Sequence, residues 1–65
     1  MRVNGKLVEY EPITLLEYLE RAGFRDNLAY IIVERNREII TRERFGAVAL
    51  EPDDEVNVLQ FMGGG

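Results

Sequence analysis

One stretch of this chain carries a complete set of helix signals. Thr14, Leu15, Leu16 and Glu17 spell T-x-x-E, a capping box in which the threonine side chain and the glutamate side chain each satisfy a backbone donor of the first turn. Ile13 and Tyr18 stand where a hydrophobic staple would sit. Leu15, Leu16, Leu19 and Ala22 recur at helical spacing. Gly23 suits the left-handed position that ends a helix, with Phe24 placed to pack back on Leu19. A helix is therefore expected over 15–22. With 65 residues the chain makes one domain, and a domain of that size buries only about 60% of its unfolded surface. One helix cannot cover both faces of a sheet, so whatever β structure surrounds it must form a single sheet packed on that helix.

The remaining segments read as strands and turns. Asn4-Gly5 lies between apolar-containing runs, and a two-residue type I′ turn needs positive φ at both central positions. Such a turn sets Val3 opposite Lys6 and Met1 opposite Val8, with Met1, Val3 and Val8 on the core face. Residues 28–33 are β-rich and apolar throughout, as in an interior strand. Residues 34–37 form a polar turn around Asn36, 38–40 a short strand, and 41–45 a single helical or 3₁₀ turn with Phe45 as a core plug. Glu51-Pro52-Asp53-Asp54 is turn chemistry. Residues 55–61 make the last strand, with Val56 and Val58 on one face and Leu59 and Phe61 on the other. The core is expected to include Leu16, Leu19, Ile31, Val33, Val56 and Val58. A hairpin, a crossover helix and further strands place a parallel pair near the sheet centre. The fold class is α+β, a β-grasp with a mixed four- to five-stranded sheet on one helix, spanning 1–61 and followed by a glycine-rich tail, 62–65, expected to be mobile.

The chain has neither cysteine nor histidine. Disulfides, thiolate metal sites, a thiol nucleophile and the one side chain that titrates near neutral pH are all missing. Scattered carboxylates alone make a poor metal site, and no phosphate-cradling glycine motif precedes a helix. No bound cofactor, no metal and no self-contained catalysis are expected. A formal charge of −4 argues against nucleic acid or anionic membrane as a partner. The longest apolar run, 28–33, is too short to span a bilayer, and the N-terminus lacks a signal-peptide hydrophobic region, so a cytoplasmic location is the default. Glu51, Asp53, Asp54 and Glu55 read as a solvated turn, with docking of a basic partner as the alternative, and Arg35, Arg37, Arg42 and Arg44 as ordinary surface with glutamate partners. Leu59, Phe61 and Met62 either complete the core or form a docking patch.

The last six residues are Gln60, Phe61, Met62, Gly63, Gly64 and Gly65. Asn4-Gly5 in an N-terminal hairpin, TLLEYLE as a leucine-rich helix, EIITRERF after a strand and DDEVNVLQFMGGG at the end resemble the ThiS-type sulfur carriers, ubiquitin-like β-grasp proteins. The resemblance covers nearly the whole chain. It implies that Gly65 bears a reactive carboxylate, that Gly64 completes the Gly-Gly pair, and that Gly63 belongs to the arm. A partner E1-like enzyme of the ThiF or MoeB type would adenylate the carboxylate with ATP and Mg. Sulfur from a donor such as a cysteine desulfurase would then replace AMP as a thiocarboxylate, for use by a ThiG-type thiazole synthase in thiamin biosynthesis.

Physical chemistry gives the tail a reason beside the resemblance. Residues without Cβ let a backbone thread a narrow channel, and four residues extend at most ~14 Å, enough to enter a cleft while the body docks outside. The body must supply recognition, for which Leu59, Phe61 and Met62 are the apolar residues nearest the tail. The sequence departs from the family by placing Arg35 and Arg37 around Asn36, where a simple Asn-Gly turn is usual. The small subunit of molybdopterin synthase shares the fold and the Gly-Gly end but is generally longer and tends to carry proline before the tail. Another thiocarboxylate sulfur donor is the further alternative within the class. A ubiquitin-like modifier or protein-binding module is the alternative of another class.

Overall fold

In the computed structural model, which describes residues 1–61, a five-stranded sheet carries one helix. β1 (Arg2–Val3) and β2 (Lys6–Leu7) form the first hairpin, α1 spans Leu15–Arg21, β3 (Ile31–Arg35) and β4 (Glu38–Ile40) form a second hairpin, and β5 is Glu55–Gln60. The strand order is β2-β1-β5-β3-β4. β5 lies at the centre, parallel to β1 and antiparallel to β3. This is the expected α+β β-grasp sheet, with its parallel pair in the expected place.

Helix α1 forms where its local signals require. The Glu17 amide donates to Thr14 Oγ1 at 3.2 Å and the Thr14 amide donates to Glu17 Oε1 at 3.1 Å, closing the capping box. At the other end Gly23 takes φ 97°. Its N–H reaches the Glu20 carbonyl at 3.2 Å and the Phe24 N–H reaches that of Leu19 at 2.9 Å, the two bonds of a Schellman motif. Leu15 and Leu19 are fully buried; Leu16 is only half-buried and Ala22, the C-cap, is exposed. A helix this short turns one narrow stripe to a single sheet; Leu15 with Leu19 occupy its centre, Leu16 packs against the core from the margin, and Ala22 falls outside the apolar stripe expected for it. Met1, Ile31, Val33, Val56 and Val58 complete the core with Ile40, Phe45, Val48 and Leu50, and Val3 and Val8 pack against it.

Residues 28–30 are not strand. Arg25–Tyr30 is a 3₁₀ segment kinked at Asn27, and β3 begins only at Ile31. Ile31 already faces Gln60, the last residue of β5, so a longer β3 would outrun its neighbour. The apolar run itself fits either period. Arg42–Ala47 is the expected 3₁₀ turn around buried Phe45. Among the described residues no helix is long and apolar enough to cross a membrane.

Candidate functional site

β5 is the element that leads into the glycine tail, and the rest of the fold fixes its position. Both hairpins turn through an asparagine. Asn4 and Gly5 have φ 52° and 81°, and Asn36 and Arg37 have φ 51° and 70°, so both turns have the positive φ pair of type I′. The departure at Arg37 therefore leaves the turn class unchanged, although an arginine now sits in a conformation that glycine adopts more readily. Each asparagine also bonds to β5. The Asn4 N–H donates to the Val56 carbonyl at 2.9 Å, and Asn4 Oδ1 accepts from the Val58 N–H at 2.8 Å. Asn36 N–H donates to the Glu55 carbonyl at 2.8 Å, and its Oδ1 accepts from the Glu55 N–H at 3.0 Å.

Asp54 locks the start of the strand. It is 3% exposed, which corrects the expectation of a solvated turn for this residue, while Glu51, Asp53 and Glu55 are exposed as expected. Its carboxylate accepts from Arg35 Nε at 2.9 Å, from the Glu51 N–H at 2.8 Å and from Asn36 Nδ2 at 3.0 Å. Burial opposes ionisation, but these three hydrogen bonds and the charge of Arg35 outweigh it and hold the Asp54 carboxyl below the usual carboxylate range. Arg35 is correspondingly no ordinary surface arginine, since its ion-pair partner is this buried aspartate and not a glutamate.

At its far end β5 turns apolar side chains away from the helix. Directly paired residues share a face, and Leu59 pairs with Ile32, Asn57 with Glu34, and Glu34 with Ile39. Leu59 is 65% and Phe61 46% exposed, and Ile32 and Ile39 are exposed beside them. The alternative left by the sequence is thus decided for Leu59 and Phe61, which do not complete the core. The strand's last bond among the described residues runs from the Phe61 N–H to the Tyr30 carbonyl, 3.0 Å. Met62, Gly63, Gly64 and Gly65 lie outside the described residues, as does the expectation of a mobile tail.

The expected site residues therefore divide. Leu59 and Phe61 lie together on the open face, while Ile32 and Ile39, their neighbours there, were not legible as site residues. Their signal was the alternation of Ile31 to Val33 and of Ile39 with Ile40, which becomes a two-faced pattern only when the helix covers one side. Among the described residues no group of His, Cys, Asp or Glu is arranged to hold a metal ion.

A mixed five-stranded sheet on one helix, with a parallel pair at its centre, defines a ubiquitin-like β-grasp protein. The sequence model of the ThiS family matches residues 1–65. The chain is 35% identical over its whole length to the sulfur carrier protein ThiS of Bacillus subtilis, covering 98% of that protein. It is 38% identical over 66 residues to part of a thiazole synthase of Magnetococcus marinus, and spans only 20% of that relative's length. The crystal structure of the thiamine biosynthesis protein ThiS from Geobacter metallireducens superposes with a TM-score of 0.76 at 36% identity, covering 98% of this chain and 96% of that one. The chain belongs to the ThiS family and is a ThiS-like sulfur carrier.

Proposed function

We propose that this chain carries sulfur for thiazole formation in thiamin biosynthesis, with the Gly65 carboxylate as the carrying group. The observation that supports this most directly is that the family match runs through residue 65, so Gly64 and Gly65 fall within the matched region. A carboxylate is a poor electrophile. An E1-like enzyme using ATP and Mg joins one carboxylate oxygen to the α-phosphorus and releases pyrophosphate. The terminal sulfur of a persulfide, on a donor such as a cysteine desulfurase, then attacks the acyl carbon: a C–S bond forms, the C–O bond to AMP breaks, and AMP leaves with the electron pair. A thiol reductant then cleaves the S–S bond of the resulting acyl disulfide, which releases the thiocarboxylate and leaves a disulfide on the donor side. The chain itself supplies an acyl group and a docking body, and the adenylation is the partner's catalysis.

The open face is suited to that docking. Leu59 and Phe61, with Ile32 and Ile39 beside them, present an apolar surface next to the tail's root, and exposed apolar clusters on small proteins mark partner sites. Met62 and Gly63, next in sequence, are assigned to the arm that the partner would engage. A thiazole synthase as acceptor is supported by the Magnetococcus marinus relative, in which a segment similar to this whole chain is part of a protein of that name.

Intact-mass spectrometry after incubation with the adenylating enzyme, MgATP and a sulfur donor should show sulfur in place of one oxygen. Deleting Gly65 withdraws the carboxylate by up to ~3.6 Å, and a misplacement of about 1 Å already costs on the order of 100-fold. Gly64→Trp should block channel entry at unchanged melting temperature. Thiocarboxylation of either variant at the wild-type rate would reject the reading.

A further inference from the structure

We infer that Tyr30 is a positioning residue for the chemistry at the tail, acting through Phe61. The inference rests on the sulfur-carrier reading for its functional consequence, but its geometric basis is independent of it. Tyr30 ends the 3₁₀ segment before β3 and stands opposite Phe61, one step beyond the Ile31–Gln60 pair. Its carbonyl accepts the Phe61 N–H at 3.0 Å. The two rings meet edge to face, with centroids 6.5 Å apart and planes at 75°, the arrangement that aromatic quadrupoles favour.

This contact lies outside the core. Tyr30 is 47% and Phe61 46% exposed, and neither ring is among the residues packed on the buried cluster. A pair so placed adds little to the stability of the domain. What it fixes is the direction in which the chain leaves the sheet. Phe61 is the last described residue before the tail, so its orientation sets the point and direction from which the tail starts. The ring of Tyr30 also holds Phe61 in one orientation before any partner arrives, which lowers the ordering cost of docking. The phenolic hydroxyl takes no part in either contact, so the ring and not the oxygen is the working group. Once a partner has gripped the tail, the brace has no further effect. Its loss should therefore raise the KM for the carrier and leave kcat unchanged.

The test is ATP–pyrophosphate exchange by the adenylating enzyme at varied carrier concentration. Tyr30→Ala should raise KM by about 2–10-fold, the effect of losing one aromatic pair or one pre-ordered side chain, with kcat as in wild type. Tyr30→Phe should restore the wild-type KM. In a Phe61→Ala background the Tyr30→Ala change should add nothing. An unchanged KM in Tyr30→Ala, an equal rise in Tyr30→Phe, or full additivity with Phe61→Ala would overturn the inference. Amide exchange at Phe61 in the free protein supplies a second readout. It should quicken in Tyr30→Ala and not in Tyr30→Phe, and equal rates in all three proteins would overturn the brace. Failure of the wild type to support any exchange of pyrophosphate would count against the sulfur-carrier reading, while the amide measurement would still decide the brace.

Discussion

The two ends of β5 are held by different physics. At the start, the buried Asp54 and the Glu55 backbone are gripped by Arg35, Asn36 and the Glu51 N–H. At the finish, among the described residues, a backbone bond to Tyr30 and the half-exposed ring of Tyr30 hold Phe61. Charge-assisted hydrogen bonds at a buried site are strong and directional, so the first end sets register. The second end leaves its apolar side chains to face outward. One strand thus joins a rigid anchor to a surface that remains available to a partner, and the anchor allows the exposed end to forgo core contacts.

The largest effect should come from removing the anchor. Asp54→Ala leaves Arg35 and Asn36 without their acceptor and should cost about 3 kcal/mol in denaturant unfolding. Leu59→Ala at the other end should change stability by no more than about 0.5 kcal/mol, while weakening capture by the adenylating enzyme. Similar losses at both ends would erase the distinction between anchor and docking end.

The contrast also predicts an acid response. Folded Asp54 holds its carboxyl below the ordinary range, so the unfolded chain binds that proton more readily and stability falls as pH falls. The contribution is complete above the unfolded value of about 3.9 and is lost progressively as pH drops through the lower folded value. Melting temperatures of wild type and Asp54→Asn should therefore converge in acid and reach their full separation once the pH has risen past the unfolded value of about 3.9. A constant gap across that range would remove Asp54 from the anchor.

A smaller effect than the loss of the anchor is expected at the clamp midway along the strand. Asn4→Gly keeps the positive φ that the turn requires but loses the acceptor for the Val58 N–H. It should cost about 1 kcal/mol, and Val58 amide exchange should rise more than that of Val33. An unchanged Val58 amide would show that Asn4 serves the turn alone.

What could be read from the sequence was local. The capping box of Thr14 and Glu17, the Gly23 terminus, the Asn4-Gly5 turn and the alternation of Val56, Val58 and Leu59 all depend on residues a few positions apart. Their spacing therefore specifies their structure. From these followed the single helix, the single sheet and the parallel central pair, and the quoted motifs were enough to point to the ThiS family. Only the tertiary structure decided that residues 28–30 leave the strand, that Val48 and Leu50 enter the core, and that Asp54 is buried. It alone revealed that Arg35, Asn4 and Asn36 act on a strand far away in the chain. Asn4 meets Val58 across 54 positions, and a short polar side chain carries no local mark of a partner at that distance. Chain topology brings such groups together, and the cost of leaving a buried polar group unpaired then dictates the bonds they make.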